Sequence, residues 1–209
     1  MLNRLDHILY AGRDLEELIS TFESLSGIRA GGGGSHPGLG TQNALAALGK
    51  DVYLELIAPD PKQQVAGSYG ELFGTFGQPR IYAYMIRAQN LEHLKALMAG
   101  AGVESDLIEA SRTMPNGAKL KWRLLLPRRN EFGECLPKFI DWMDTTHPAV
   151  TSVKGCELTE FEIGHPEALR LGEILRKLEV EVPLVRADRP CFRAEFRTPK
   201  GPLVLNSGN

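Results

Sequence analysis

The stretch LDHILYAGRDLEEL, residues 5–18, contains a strand that runs directly into a helix. Alternation in its first half predicts the strand, with His7 and apolar residues on one face and Asp6 on the other. Asp14 is a typical helix N-cap, and the apolar residues after it recur at helical spacing until Gly27, which favours a helix end. The pattern therefore predicts a strand followed by an amphipathic helix.

This junction recurs along the chain, in RDLEELISTF, QNLEHLKALM and HPEALRLGEI. Each predicted helix follows a predicted strand and precedes further short apolar runs, which favours units of the order βαβββ. We place these units at residues 1–60, 80–145 and 155–207, the third being shorter and degenerate. Residues 60–79, rich in Gly, Gln and Pro, are interpreted as a linker. The pattern predicts an α+β protein built from repeated βαβββ modules.

The composition is typical of a globular chain: of 209 residues, 43% are hydrophobic and 24% are charged. A formal net charge of −2 argues against a nucleic-acid partner, which requires a basic surface. No apolar run approaches the roughly 20 residues of a membrane helix, and charges interrupt the region where a signal peptide needs an apolar core. Three widely spaced cysteines form no CxxC pair and fit reduced thiols. We therefore expect a cytoplasmic protein that binds neither nucleic acid nor membranes.

The glycine-rich stretch GGGGSHPGLGTQNAL, residues 31–45, is a candidate for ligand binding. It lacks the GxxxxGK[ST] of a phosphate-binding loop, and the third glycine of a dinucleotide fingerprint is missing. A linker is unexpected inside a βαβββ unit. Glycines permit left-handed backbone and close approach to a ligand, so one interpretation is a site loop that brings His36 and Asn43 to a cavity. The alternative is a mobile surface loop with a solvated His36.

Glu55 is the most informative single residue, because it lies in the apolar strand VYLELIA between Leu54 and Leu56. A carboxylate there costs several kcal/mol unless it is paired, protonated or bound to a metal. If this strand shares a sheet with the strand of His7, the two side chains project from the same face. Imidazole and carboxylate together suit Zn²⁺, Fe²⁺, Mn²⁺ or Ni²⁺. The other interpretation is a core histidine in a neutral His–Glu hydrogen bond.

Two further residues are candidates for contact with a small molecule. Trp142, in PKFIDWMD, is interpreted as a cavity wall, since aromatic linings are typical of small-molecule pockets. In KLKWRLLL, basic residues including Arg123 alternate with apolar ones. In one interpretation, the basic residues form the solvent-exposed face of the strand. In the other, Arg123 faces the cavity and binds an anionic substrate.

Together, LDHILYAGRDLEEL, GGSHPGLGTQNALAALG and YLELIAPDP resemble the glyoxalase-like domain of the vicinal oxygen chelate superfamily. That superfamily also contains glyoxalase I, extradiol dioxygenases and bleomycin-resistance proteins. The resemblance is clearest over residues 4–61, is less clear around PKFIDWMDTTHP and is weak in the last third of the chain. It implies paired βαβββ modules whose curved mixed sheets surround a shared cavity.

The resemblance also implies metal ligands. In metal-dependent members the first strand of a module supplies one ligand and its last strand another, and the corresponding residues here are His7 and Glu55. The second module departs from this pattern, because aligning QNLEHL on RDLEEL places Ala83 where the first module has His7. Its last strand offers Asp141. The remaining candidate donors are therefore His7, Glu55, Asp141 and His36, in a site with open positions.

Two functions remain open at this point. The first is a metal-dependent lyase, isomerase or dioxygenase acting on a small oxygenated substrate, with the metal as Lewis acid. Glu55 is then a ligand or a base, and His36 orients the substrate or closes the site. The second is a metal-free protein that sequesters an aromatic or anionic small molecule, which the missing ligand at Ala83 favours. We interpret the third module as structural, extending the sheet or forming a subunit contact, so that a homodimer is one expected assembly.

Overall fold

The structure is a computed structural model that describes residues 3–113 and 119–208. The strands are β1 (Arg4–Ala11), β2 (Gly31–His36), β3 (Thr41–Ala47), β4 (Tyr53–Pro59), β5 (Arg80–Arg87), β6 (Ser105–Thr113), β7 (Lys119–Pro127), β8 (Lys138–Asp141), β9 (Glu157–His165), β10 (Leu184–Arg186), β11 (Cys191–Thr198) and β12 (Gly201–Asn206). The helices are α1 (Leu15–Ser26), α2 (Tyr69–Gly74), α3 (Leu91–Gly100), α4 (Pro148–Thr151) and α5 (Ala168–Lys177), with a short 3-10 helix at Gly133–Cys135. The predicted α+β class is confirmed, whereas the division of the chain into three units stays a prediction.

Eight strands form one curved mixed sheet in the order β2-β3-β4-β1-β5-β8-β7-β6. The central strands β1 and β5 are antiparallel, and each pairs in parallel with the last strand of its own half, β4 or β8. The two halves therefore follow the same strand order in opposite directions from the centre. The curl brings the outer strands β2 and β6 into contact, so the sheet encloses a space on its concave side.

The two faces of the sheet bury different side chains. On β1, Ile8 belongs to the apolar cluster that includes helices α1, α3 and α5, whereas Leu9 belongs to a second cluster on the concave side. The predicted alternation holds from His7 onward but is wrong for Asp6. A register shift between Leu5 and His7 in the pairing with β5 interrupts the alternation. The Asp6 carboxylate consequently contacts the His7 ring instead of pointing to the opposite face.

The glycine-rich stretch is a hairpin, so the predicted loop is wrong. Residues 31–36 form β2, which pairs with β3 in an antiparallel arrangement. Gly33 permits this close pairing, because a Cβ at that position would lie 1.8 Å from the carbonyl oxygen of Asn43. Gly40 ends the turn at φ +67°, in the left-handed region that favours glycine. The glycines therefore let two strands approach each other.

The third predicted unit forms a separate four-stranded sheet in the order β10-β9-β11-β12. Tyr84 of β5 connects the two sheets through ring contacts with Phe161 and Phe192, at centroid distances of 5.4 and 5.9 Å. All three rings belong to the apolar cluster on the convex side of the large sheet. The prediction that the third unit extends the large sheet is therefore wrong, because its apolar face packs against a sheet face.

Residues 60–79, predicted as a linker, contain the short helix α2. Ser68 caps it by accepting a hydrogen bond from the backbone N–H of Gly70. Tyr69 and Phe73 of this helix line the space inside the curled sheet, so the stretch forms a cavity wall. Within the described parts of the chain, no helix is both long and apolar enough to cross a membrane.

Candidate functional site

The concave side of the large sheet encloses a cavity of about 100 Å³. Most of its lining is apolar or aromatic and comes from α2 and from both halves of the sheet. This volume is below the roughly 300–1,000 Å³ of typical ligand pockets, so the cavity accommodates a small molecule or part of one. The charged, histidine and amide residues of the lining are His7, His36, Asn43, Glu55, Arg112 and Lys138.

His7 and Glu55 lie next to each other on the cavity wall. Parallel pairing of β1 with β4 sets His7 opposite Tyr53 and Leu9 opposite Glu55. His7 Nε2 lies 3.4 Å from Glu55 Oε2, and the Tyr53 ring stacks on the imidazole with 4.4 Å between centroids. His7 and Glu55 are only 4% and 6% exposed. The structure therefore brings together, inside the protein, the two residues that the sequence nominates as metal ligands.

Asp6 fixes the orientation of His7. Its Oδ1 lies 2.7 Å from His7 Nδ1, so Nε2 is the ring nitrogen that faces the cavity. Its Oδ2 accepts hydrogen bonds from Arg87 Nε at 2.8 Å and Trp142 Nε1 at 3.1 Å, and lies 3.1 Å from His147 Nε2. Asp6 is completely buried. A carboxylate in this position sets both the tautomer and the ring orientation of its histidine.

His36 and Asn43 reach the cavity from the glycine-rich hairpin. Asn43 Nδ2 donates to Glu55 Oε1 at 2.5 Å, and His36 Nε2 lies 3.8 Å from the same oxygen. The other ring nitrogen of His36 lies 3.0 Å from Thr41 Oγ1. Asn43 Oδ1 accepts a hydrogen bond from Arg112 Nη1 at 3.2 Å. Because Arg112 is on β6, these contacts connect Glu55 to both outer parts of the curled sheet.

The buried charges shift one another's pKa values. Burial favours neutral His7, but hydrogen bonds to Asp6 and Glu55 and their charges outweigh it and raise the His7 pKa to about 9. Burial likewise favours the neutral acid at Glu55, yet the hydrogen bond and charge of His7 lower the Glu55 pKa to about 2. Burial lowers the pKa of His36. In metal-free protein at neutral pH, His7 is therefore a cation, Glu55 an anion and His36 neutral.

The charge of His7 is expected to make stability pH-dependent. Because folding raises its pKa, His7 contributes stability that is complete below the unfolded value of 6.5 and is lost as pH rises through about 9. The free energy of unfolding of metal-free protein should fall by a few kcal/mol over this window, at roughly 1.4 kcal/mol per pKa unit. Denaturant titrations at several pH values across the window measure the decrease.

The matched variants for this measurement are His7→Gln and His93→Gln, the latter at an exposed position of α3. We expect His7→Gln to remove most of the decrease and His93→Gln to preserve it. An equal decrease in the wild type and in His7→Gln would show that other groups, such as the buried tyrosines and cysteines, cause it.

Arg123 and Asp141 lie outside the cavity and bind each other. Arg123 Nη2 donates to Asp141 Oδ2 at 2.9 Å, and its Nη1 donates to Glu92 of α3 at 2.6 Å. The apolar face of β7 points inward instead, and Trp122 lines the cavity. The structure therefore does not bring Arg123 to the cavity as a substrate-binding residue, and Asp141 is not close to the other candidate donors.

The second half of the large sheet contributes a mainly apolar wall. Ala83 is buried on the concave side and offers no donor, while Met85 and Ile140 line the cavity. Trp142 also lines it, in the position of a wall residue, and in addition holds Asp6 through its indole N–H. The candidate metal donors of the site are therefore on the first half, whereas Arg112 and Lys138 are the charged residues that the second half adds to the lining.

The sequence analysis did not identify three residues of the site, which are Asp6, Arg112 and Lys138. Asp6 shows the same signal as Glu55, a carboxylate within an apolar strand, but its contact with His7 depends on the local register shift. Arg112 and Lys138 are basic residues in strands, and such residues are mostly exposed. No local signal distinguishes them from solvated residues.

The donor chemistry of the His7–Glu55 pair fits a divalent transition metal. His7 Nε2 and the Glu55 carboxylate are adjacent, and His36 Nε2 is a further nitrogen donor near the same carboxylate. Support of His7 by Asp6 is typical of metal-bound histidines. In the part of the chain that the structure describes, no three such side chains surround one metal position. The described residues therefore supply two adjacent donors, and water or substrate oxygens would be the further ligands.

A protein-family model described as a glyoxalase-like domain matches residues 5–179. The matched range contains the eight-stranded sheet except for its first residue, Arg4, and every residue of the cavity named above. It also includes β9 and α5, the beginning of the third predicted unit. No protein of curated function matches the chain.

Solved structures share the fold at low sequence identity. A hypothetical protein from Staphylococcus aureus has a TM-score of 0.66 at 16% identity, over 98% of this chain and 85% of its own. A methylmalonyl-CoA epimerase in complex with methylmalonyl-CoA and NH4+ has a TM-score of 0.51 at 18% identity, over 71% of this chain and 100% of its own. A Streptomyces coelicolor methylmalonyl-CoA epimerase in complex with 2-nitronate-propionyl-CoA has the same values. At these identities the likeness shows a common fold.

Proposed function

The chain belongs to the glyoxalase-like domain family, and from this we propose that it is an enzyme of the vicinal oxygen chelate type that acts on a small oxygenated molecule. The substrate enters the concave cavity, where His7 and Glu55 are the reactive residues or the ligands of a reactive metal. Lyase and isomerase chemistry, in which a proton moves next to a carbonyl group, suits this pair best. Dioxygenase chemistry requires a redox metal in addition.

One observation carries this function: the His7–Glu55 pair is buried beside an apolar cavity and is held in place by Asp6 and Asn43. Burying such charges is unfavourable for folding, and a purely structural ion pair requires no cavity next to it. Ionisable residues with shifted pKa values in a cleft are typical of functional sites. The epimerases of the same fold, which bind methylmalonyl-CoA or 2-nitronate-propionyl-CoA, favour a small-molecule substrate over a macromolecule.

The residues of the chain itself can hold and move a proton at defined atoms. In the free protein, His7 Nε2 faces the Glu55 carboxylate, and a substrate carbonyl oxygen that reaches His7 would compete for this contact. Glu55 would then be free to accept a proton from the carbon next to the carbonyl group. Asn43 keeps one oxygen of Glu55 in place, and the apolar walls strengthen charge interactions because they lower the local dielectric.

A divalent metal would bind to His7 Nε2 and to the Glu55 carboxylate, with water or substrate oxygens as its other ligands. It would act as a Lewis acid on two neighbouring oxygens of the substrate. Binding requires the neutral imidazole, so the proton on His7 must leave. Imidazole and carboxylate donors suit Zn²⁺, Fe²⁺, Mn²⁺ or Ni²⁺.

A second function, that of a metal-free protein that binds and sequesters a small molecule, is favoured by the opposite wall. Met85 and Ile140 line the second half of the cavity, where a metal site built symmetrically from both halves would require ligands. A mostly apolar pocket with few polar groups is typical of binding sites in general. In this alternative, His7 and Glu55 bind a polar group of the ligand.

Elemental analysis of tag-free protein, purified without chelators, tests the metal-dependent form of the proposed function. We expect near-stoichiometric transition metal in the wild type and its loss in the His7→Ala, Glu55→Ala double variant, because both adjacent donors are then missing. His93→Ala, at an exposed position of α3, is the control and should retain the metal.

Absence of metal from all three proteins, even after incubation with Zn²⁺, Mn²⁺, Fe²⁺ and Ni²⁺, would contradict metal dependence.

A second experiment tests proton transfer directly. Small ketones and aldehydes are incubated with the protein in D2O, and NMR follows the exchange of the hydrogens next to their carbonyl group. Exchange that is lost in Glu55→Gln supports the enzyme, and no exchange with any compound of the panel favours the binding protein.

A further inference from the structure

Arg112 is a buried cation on the wall of the cavity. It lies on β6, is 4% exposed, and its Nε has no hydrogen-bond partner. Its Nη1 donates to Asn43 Oδ1 at 3.2 Å, but this amide oxygen is a neutral acceptor. Buried guanidinium groups are usually paired with carboxylates, and an unsatisfied buried N–H is rare in native proteins. Arg112 is therefore poised for a partner that the described protein residues do not supply.

Lys138, another cation of the lining, is already paired. Its Nζ contacts the carboxylate of Glu134, which also accepts a hydrogen bond from Tyr82 Oη at 3.0 Å. Arg112, in contrast, forms no ion pair with any residue in the described ranges of the chain. The His7 cation is paired as well, with Asp6 and Glu55. Among the cations that the described residues place on the cavity wall, only Arg112 therefore has no carboxylate partner.

The surroundings of Arg112 define the chemistry of its partner. Trp122 and Leu124 of β7 line the cavity, and Asn43 connects Arg112 to Glu55. The cavity of about 100 Å³ has room for an anionic group and a few carbon atoms. Building on the proposed function and naming its substrate class, we propose that Arg112 binds a carboxylate of the ligand. The ligand of this site is then a small carboxylic acid with an apolar body.

The planar guanidinium favours a carboxylate over a single-atom acceptor. Its Nε–H and an adjacent Nη–H lie in one plane and match the two oxygens of a carboxylate, and such charge-assisted bonds are short and strong. A bound carboxylate would satisfy the free Nε–H. The apolar side chains of β7 would cover the carbon atoms that follow.

A purely structural Arg112 would behave differently. It would close the curled sheet through its bond to Asn43, and the cavity would not distinguish a carboxylic acid from a neutral molecule of the same shape. A carboxylic acid and its amide form such a pair, because they differ in charge and hardly in size. Their relative affinity therefore separates the two roles.

The test uses the full chain with 2-methylpropanoate and benzoate, each compared with its amide. Both tryptophans of the chain, Trp122 and Trp142, line the cavity, so their fluorescence reports binding. We expect the wild type to bind the acids on the order of tenfold more tightly than the amides. Arg112→Gln should lose this preference and still bind the amides. Arg123→Gln, which removes an outward ion pair of β7, is the matched control and should keep it.

Equal binding of acids and amides by the wild type, or a preference that survives Arg112→Gln, would overturn the assignment. If Arg123→Gln lost the preference for acids to the same extent, the assignment would be overturned as well, since the effect would then not be specific to Arg112.

A measurement on the wild type does not depend on the folding of a variant, and it uses the side-chain Nε–H signal of Arg112 in NMR spectra. This signal should shift on addition of the acids but not of the amides, and no shift at the highest soluble concentrations means that the cavity does not receive a carboxylate.

These outcomes separate the carboxylate ligand from the proposed activity. A preference for acids that depends on Arg112, in a protein without bound metal or proton exchange, would indicate a binding protein for carboxylic acids. Exchange on neutral carbonyl compounds without any preference for acids would retain the enzyme and remove the role of Arg112.

Discussion

Replacing Asp6 by alanine is expected to lower the free energy of unfolding by about 3–5 kcal/mol. Asp6 is completely buried, and its carboxylate contacts the side chains of His7, Arg87, Trp142 and His147. Although burial favours the neutral acid, hydrogen bonds from His147 and His7 hold its pKa well below its usual range. The variant leaves these buried donors without their acceptor. The loss is a large fraction of the roughly 5–15 kcal/mol that stabilises a typical domain.

Denaturant unfolding of the wild type and Asp6→Ala at neutral pH measures this loss. Asp51→Ala is the matched control, because Asp51 Oδ1 also lies near Arg87, 3.9 Å from Nη1, but its side chain is 66% exposed. We expect Asp51→Ala to change stability by no more than about 0.5 kcal/mol. Equally small effects of both substitutions would show that the buried contacts of Asp6 contribute little.

Tyr84→Ala is expected to lower the free energy of unfolding by about 3–5 kcal/mol as well, because it leaves a large cavity between the two sheets. Tyr84 is completely buried, packs on Phe161 and Phe192, and donates its hydroxyl proton to the carbonyl oxygen of Cys135 at 3.0 Å. These contacts hold the four-stranded sheet against the convex face of the large sheet. The variant should therefore also make the four-stranded sheet more sensitive to proteolysis.

Tyr84→Phe keeps the ring and removes only the hydroxyl, so it should cost about 1–2 kcal/mol. Denaturant unfolding compares the two variants, and mass spectrometry of early proteolytic fragments locates the first cleavage. If Tyr84→Ala and Tyr84→Phe lower stability equally, the loss comes from the hydrogen bond to Cys135. The packing of the ring against the four-stranded sheet would then contribute little. First cleavage within the large sheet would contradict the role of Tyr84 as the connection.

Elements with a local signal were predictable from the sequence. Asp14 caps α1 by accepting a hydrogen bond from the backbone N–H of Glu17 at 2.8 Å, and Gly27 ends the helix at φ 80°. The shared face of His7 and Glu55 was predictable on the condition that their strands belong to one sheet, because side chains alternate strictly along a strand. Caps and alternation act over a few residues, and for this reason a single sequence contains them.

Arg123 and Arg112 show where this reasoning ends. Both are arginines in alternating strands of one hairpin, yet Arg123 binds Asp141 outside and Arg112 lines the cavity. In β6 and β7 the alternation predicts two faces, but only the curl of the sheet determines which face is concave. The sequence analysis therefore nominated Arg123 for the contact with an anionic substrate, whereas Arg112 is the arginine that lines the cavity.

The amino-acid pattern alone predicted the family, the His7–Glu55 pair and most strands and helices, although not β2 or α2. Such features depend on residues that are close together in the sequence or on a recognisable local pattern. The closed cavity, the contact of Asp6 with His7, and the position of Arg112 were decided by tertiary structure. Arg112 meets Asn43 across 69 residues of chain, and a register shift turns the Asp6 carboxylate toward His7. Such contacts arise from the curvature and register of paired strands, which are properties of the assembled sheet and have no counterpart in a local pattern.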